Sequence, residues 1–335
     1  MAFLFAADSG RWLTLLRIGL GLVIISYAWP LRGDWNYLFG GTGRGLISRQ
    51  LFEALASSQS PLIPRLGWLV TFCGYFGLSE NFALSLAWAL LLGAGCFLLV
   101  GFFSRPAAIL AWFLQLAAAK SGGFLSYGAD NFITIGLFYL MIAPLPDRWS
   151  LDQLLAHRRA ANPDRLGFHR RLLQIHLCFI YLFSGLTKCL GAGWWDGTNI
   201  WRSLTMPPFD LLPIGLVASC APLLPALGIS ICLLETSYSF LIWPRWSRRI
   251  VLCAICLMHA AIGLTMGMYL FALIMIVLNL AAFGPAEGEL AEVLNDREAR
   301  RKGGTLPAWY CPGPGWSNSL DNTRGSGEHG ASFKG

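Results

Sequence analysis

The sequence predicts an all-α membrane protein: a polytopic bundle of about eight transmembrane helices, with one more helix lying on or re-entering from the outer face. Three observations predict it. Hydrophobic residues make up 55% of the 335 and charged residues 13%, about half the charged share of an average soluble domain. The apolar residues gather in runs of about 16 to 22, the length a helix needs to cross hydrocarbon. The arginines fall in the short connections between those runs, where charge sets topology. The net charge of +7 therefore marks orientation in a bilayer, and nucleic acid is not an expected partner.

Taken in order, the runs cover 12–30, 82–103, 107–127, 131–146, 171–190, 214–243, 249–267 and 269–284. The first carries Arg17 and lacks a small-residue cleavage site, so it reads as a retained span rather than a signal peptide. The sixth is long and contains Pro222 and Pro225, which places the start of its membrane part near Ala226. The run 66–78 is too short to span comfortably; if it does cross, the count becomes nine. Residues 31–81 form a long outer connection containing Arg44, Arg49 and Glu53, read as a cover over the bundle, with a lid as the alternative. A membrane domain of residues 1–285 is followed by a polar, Gly/Ser/Pro-rich tail, 286–335, expected to be a disordered cytoplasmic extension with a short helix at 291–302.

Basic residues accumulate on the cytoplasmic side. The connection 147–171 holds Arg148, Arg158, Arg159, Arg165, Arg170 and Arg171, and the one after Trp243 holds Arg245, Arg248 and Arg249. With eight spans both connections and both termini face the cytoplasm, as expected of a multi-pass protein of the cell membrane. Nine cysteines are scattered mostly within apolar runs, where a buried thiol is the common state. The Cys253/Cys256 CxxC has no second pair or His cluster beside it, so it reads as packing and no metal is expected.

The stretch 169–209, HRRLLQIHLCFIYLFSGLTKCLGAGWWDGTNIWRSLTMPPF, drives a lysine to the end of an apolar helix. At about 100° per residue Gln174, Tyr181, Ser184 and Lys188 share one narrow polar sector, and His176 projects to the other side. Such a sector turns towards protein or water, because unpaired polar groups in hydrocarbon cost several kcal/mol. Lys188 is thus a candidate base, and a lysine snorkelling to the surface is the alternative. Beyond it come Trp194, Trp195, Asp196 and Gly197, a candidate binding turn whose tryptophans equally suit the headgroup level. Two further ionisable residues lie inside apolar runs, Glu235 and His259. They are candidates by default; the alternative is a structural pair in which a neutral glutamic acid hydrogen-bonds the imidazole. Asn279 and Arg17 are expected to serve interhelical bonding and pairing with an acid. Asp130, in KSGGFLSYGADN, is either a helix cap or a proton acceptor near Lys188.

The order FSGLTK, GWWDGTNIW, MPPF (183–188, 193–201, 206–209) resembles the HTTM (horizontally transferred transmembrane) family, the membrane domain shared by vitamin K-dependent gamma-glutamyl carboxylase and many bacterial proteins. The similarity extends loosely over 12–284, with RWSL (148–151) and MHAAIGLTMGMY (258–269) as further points of likeness. The resemblance implies Lys188 as the base that deprotonates a reduced quinone of vitamin K or menaquinol type. It also implies Asp130 and His259 as further catalytic groups, and Trp194, Trp195, Asp196, Gly197 and Glu235 around the cofactor; Tyr181 joins them from the polar sector of the helix. This chain has Asp130 where the carboxylase has a second functional histidine, and it lacks the carboxylase's large lumenal region, so peptide carboxylation does not carry over directly. Family members of the sporulation-delaying-protein B type imply the other expectation, a non-catalytic accessory protein for maturation, export or immunity of a secreted peptide. A transporter is disfavoured because no internal repeat is readable.

Overall fold

The computed structural model describes residues 4–5, 7–41, 49–156 and 162–285. Arg44 and the tail 286–335 lie outside the described residues. Everything described folds as helices and their connections, with no strand among the described residues. The helices are α1 (Arg11–Ala28), α2 (Trp35–Phe39), α3 (Arg49–Gln59), α4 (Leu66–Tyr75), α5 (Glu80–Val100), α6 (Ser104–Gly122), α7 (Gly128–Ile142), α8 (Leu151–Ala156), α9 (Pro163–Cys189), α10 (Ala192–Trp195), α11 (Thr198–Thr205), α12 (Ile214–Ser219), α13 (Leu224–Leu241), α14 (Arg245–Met266) and α15 (Tyr269–Phe283).

Among the described residues, five segments are long and apolar enough to cross a membrane: Arg11–Arg32, Glu80–Val100, Pro163–Cys189, Ala221–Leu241 and Arg245–Met266. They mark the chain as a multi-pass α-helical membrane protein. Helices α7 and α15 are as apolar but have 15 residues each, about 22 Å of helix against about 30 Å of hydrocarbon. Helix α6 has the length, yet Arg105, Gln115 and Lys120 interrupt its apolar run. Large apolar side chains such as Phe97, Phe183, Phe240, Ile250 and Leu257 are exposed on the long helices. That surface suits lipid.

Local chemistry sets the ends of these helices. Ser79 caps α5 by accepting from the Phe82 N–H, and the helix stops at Gly101, which takes the left-handed conformation. Asn162 caps α9 and Pro163 occupies its first turn. The long apolar run 214–243 is divided as its prolines predict: α12, a 3-10 turn at Ala221–Leu223, then α13 with Pro225 in its first turn. Helix α4 is a short element of ten residues, about 15 Å long and half a bilayer.

Packing centres on α1, which lies against α5, α7 and α15, while α9 pairs with α13 and α14 with α15. Arg17, fully buried in α1, organises one end. It donates to Asp147 at 2.6 Å, to the Leu98 carbonyl at 2.6 Å and to the Trp149 carbonyl at 2.8 Å, and Thr14 donates to the same Asp147 carboxylate at 2.7 Å. A guanidinium survives inside an apolar bundle when its donors are met by a carboxylate and carbonyls, as here. At the other end the described residues of 31–81 pack against α5 and α6. Arg49 donates to the Phe39 carbonyl and pairs with Glu53 and Glu80, while Glu53 accepts from Ser121 and the Gly67 N–H. These bonds fasten α3 to α4, α5 and α6.

Candidate functional site

Helix α9 carries the polar sector. Its residues meet three neighbouring helices, α13, α14 and α15. Gln174 donates to the Ala282 carbonyl of α15 at 2.6 Å; Tyr181 faces α14 and α15; Ser184 and Lys188 face α13. His176, on the opposite side, hydrogen-bonds Tyr139 of α7 at 3.0 Å. The helical period alone separates these two faces.

Lys188 donates to Glu235 of α13 at 2.5 Å and to Ser184, one turn back, at 2.6 Å. Its ammonium also stands 5.4 Å from the centre of the Trp194 ring, within cation–π range. The side chain is 20% exposed and that of Glu235 7%, so the pair is sunk in the bundle with its lysine end nearer the surface. What lets it form is Gly185. A Cβ there would stand 2.4 Å from the Thr236 hydroxyl and 2.5 Å from the Thr236 backbone nitrogen, so only a glycine allows α9 and α13 to cross this closely.

Next to this pair a directed chain of hydrogen bonds runs through four helices, α13, α15, α9 and α14. Asn279 of α15 donates its amide to the Met275 carbonyl at 2.8 Å, which fixes the amide's orientation, and to the Tyr181 oxygen at 2.7 Å. Tyr238 donates to the Asn279 oxygen at 2.8 Å. The Tyr181 hydroxyl, having accepted from Asn279, spends its own proton on His259 Nε2 at 2.8 Å. A neutral imidazole accepting at Nε2 carries its proton on Nδ1. That Nδ1 is buried without a partner. The two groups of residues are linked along the helices: Tyr181, Ser184 and Lys188 occupy successive turns of α9, and Glu235 and Tyr238 one face of α13.

The turn after Lys188 has structural work of its own. Trp195 donates its indole N–H to the Cys189 carbonyl at 2.7 Å, closing the end of α9. Gly197 adopts φ 81°, where a side chain would be strained, and opens α11. Asp196 accepts from the Thr198 N–H at 2.8 Å. That backbone hydrogen bond, with a second from the Thr198 side chain and the nearby Arg202 charge, holds its carboxyl below the usual range.

Asp130 belongs to a different neighbourhood. It caps α7 by accepting from the Tyr127 N–H at 2.9 Å, and it accepts from Gln115 of α6 at 3.2 Å. Lys188 bonds to Ser184 and Glu235, so the structure joins neither residue to the other by a hydrogen bond. The alternative Glu235–His259 pair is also replaced: Glu235 takes Lys188 and His259 takes Tyr181. The sequence reasoning missed Tyr238 and Gln115 as partners, although Gln115 is a polar group inside the run 107–127 and Tyr238 follows Glu235 by three residues, on the same face. Cys253 and Cys256 are free thiols. Among the described residues no three His, Cys, Asp or Glu side chains gather as a metal site.

Fold and site together define a class: a polytopic α-helical membrane protein with a lysine–glutamate pair and a tyrosine–histidine–asparagine chain between its helices. No family model, curated protein or solved structure matches the chain.

Proposed function

We propose that this is a membrane enzyme of the HTTM type, with eight spans and both termini in the cytoplasm, whose Lys188–Glu235 pair takes a proton from an apolar hydroxylated cosubstrate of the reduced-quinone class. The observation that carries the reading is the pair itself. Burying two opposite charges costs several kcal/mol per ion before their attraction offsets it. A group of that kind between lipid-facing helices is a functional candidate by default. Transfer of the ammonium proton across the 2.5 Å contact to Glu235 removes both charges at once, and the neutral amine left behind is a base.

The remaining residues suit that role. Ser184 and the Trp194 ring hold the Lys188 head at the helix end, where a cosubstrate reaches it from the membrane. The unpartnered Nδ1–H of His259 is a donor suited to a quinone oxygen, and Tyr181 fixes the ring that carries it. A bound quinol would supply the reducing equivalents for reaction with oxygen; the protein supplies the base, the donor and an apolar surround that keeps water out. Eight spans follow if α6, α7 and α15 cross along with the five long segments, and the arginines of 147–171 and 245–249 then share the cytoplasmic side.

The test is product analysis by mass after mixing purified protein, or its Lys188→Ala variant, with reduced menaquinone or vitamin K and oxygen. Quinone epoxide from the wild type and none from the variant is expected. Equal product from both would remove Lys188 from the chemistry, and none from folded wild-type protein would remove the quinol reading.

A further inference from the structure

A cavity of about 640 Å³ opens among the ends of α1, α6, α7 and α15 and the connection after α1. Its walls are apolar, with Leu31, Phe39 and Leu270 among them. Its polar groups are unusual in sign. Asp34 and Asp130 line it, and among the described residues no lysine, arginine or histidine does. Tyr27 also lines it, and its hydroxyl has no hydrogen-bond partner among the described residues. A phenol facing an apolar cavity without a partner leaves one donor and its acceptor capacity for a ligand.

The Asp130 carboxylate is held still. The carboxylate accepts from the Tyr127 N–H, the Gln115 amide and the Ser126 hydroxyl, which fixes its position at the cavity wall. Glu53 and Glu80, the acids of the adjoining cover, are already paired with Arg49. Among the described residues the lining thus presents two carboxylates and no basic side chain beside apolar surface, and a charge in such surroundings attracts its opposite more strongly than in water.

We propose that this cavity is a binding site for a lipophilic amine, its apolar body against Leu31, Phe39 and Leu270 and its ammonium donating to Asp130 and Tyr27. The site shares no residue with the Lys188–Glu235 pair and stands whether or not that pair is catalytic. An apolar pocket with a few convergent polar groups is the usual form of a small-molecule site. A charge-assisted bond to a carboxylate inside it is worth more than a neutral one.

The test uses three ligands of one shape: 2-(1-naphthyl)ethylamine, 2-(1-naphthyl)ethanol and 1-naphthylacetate, titrated by naphthyl fluorescence against the full chain in nanodiscs of zwitterionic lipid. The amine is expected to bind at least about tenfold more tightly than the alcohol, and the acetate not to compete. Asp130→Asn keeps a residue able to cap α7 and should bring amine and alcohol to equal affinity. Leu31→Trp, which fills the cavity without touching the cap, should abolish binding of both, and Lys188→Ala should leave the amine unaffected. Equal binding of amine and alcohol to the wild type, an amine preference that survives Asp130→Asn, or full binding to Leu31→Trp would each overturn the proposal.

Discussion

Replacing Gly185 by alanine tests whether the α9–α13 crossing creates the lysine site. The new Cβ would lie 2.5 Å from the backbone nitrogen of Thr236, while ordinary contact begins at 3.4 Å. Backbone cannot rotate aside, so the helices must part by about 0.9 Å at this level. Lys188 and Glu235 are bonded across the same interface at 2.5 Å, and an equal displacement takes them to about 3.4 Å, beyond a good charge-assisted bond. Overpacking of this kind costs about 1–3 kcal/mol. Gly93→Ala on α5 is the control, because nothing lies within 4 Å of a Cβ there. Thermal melting in nanodiscs should show Gly185→Ala destabilised and Gly93→Ala unchanged or slightly raised. A double-mutant cycle with Glu235→Gln then separates packing from pairing: once the crossing has opened, losing the carboxylate should cost about 1 kcal/mol less than in the wild type. Melting of Gly185→Ala at the wild-type temperature, or strict additivity with Glu235→Gln, would refute the reasoning.

Three further outcomes follow from the same geometry. Arg17→Met leaves the Asp147 carboxylate buried and unpaired, and should cost about 3–5 kcal/mol in a melting experiment, with much of the loss recovered by adding Asp147→Asn; a loss unchanged by the second substitution would contradict the pairing. Asp196, whose pKa is depressed in the folded turn, contributes stability that is fully present above the ordinary aspartate value and is lost as pH falls through its lower folded value. Its carboxyl carbon followed by NMR should therefore titrate below 3.8, and a midpoint at or above that value would sink the assignment. For His259, nitrogen NMR should find Nδ1 protonated and Nε2 bare, and Tyr181→Phe should remove that preference at a cost of about 1–3 kcal/mol; a wild-type ring protonated at Nε2 would reverse the direction assigned to the chain.

The polar sector of α9 was legible because a helix imposes its period on sequence: Gln174, Tyr181 and Lys188 could be placed on one face, and His176 on the other, before any neighbour was known. Which helix meets that face is a tertiary fact. Glu235 and His259 stood in adjacent apolar runs and suggested each other, but the close approach at Gly185 gives Glu235 to Lys188 and leaves His259 to Tyr181. Asp130 had two readings, and its bond to the Tyr127 N–H realises the capping one, which needs only three residues of local chain. Its cavity was invisible in sequence, since Tyr27, Asp34 and Leu270 come together only when four helix ends meet. The broken run 214–243 was readable from its prolines, whereas the start of α9 at Pro163, eight residues before the apolar run, depends on the Asn162 cap outside it.

The Arg17 network also bears on how the protein is made. Arg17 is synthesised 81 residues ahead of Leu98 and 130 ahead of Asp147. At about 5–20 residues per second the first helix waits several seconds, and for its carboxylate up to about half a minute, before its charge has a partner. An arginine at mid-helix opposes insertion by about 2.5–3.5 kcal/mol until then. Helix α1 therefore begins its residence in the bilayer at the insertion machinery or near a headgroup, and its burial at the centre of the bundle is a late event that the emergence of Asp147 permits. A nascent chain that ends before residue 147 holds Arg17 without its carboxylate partner.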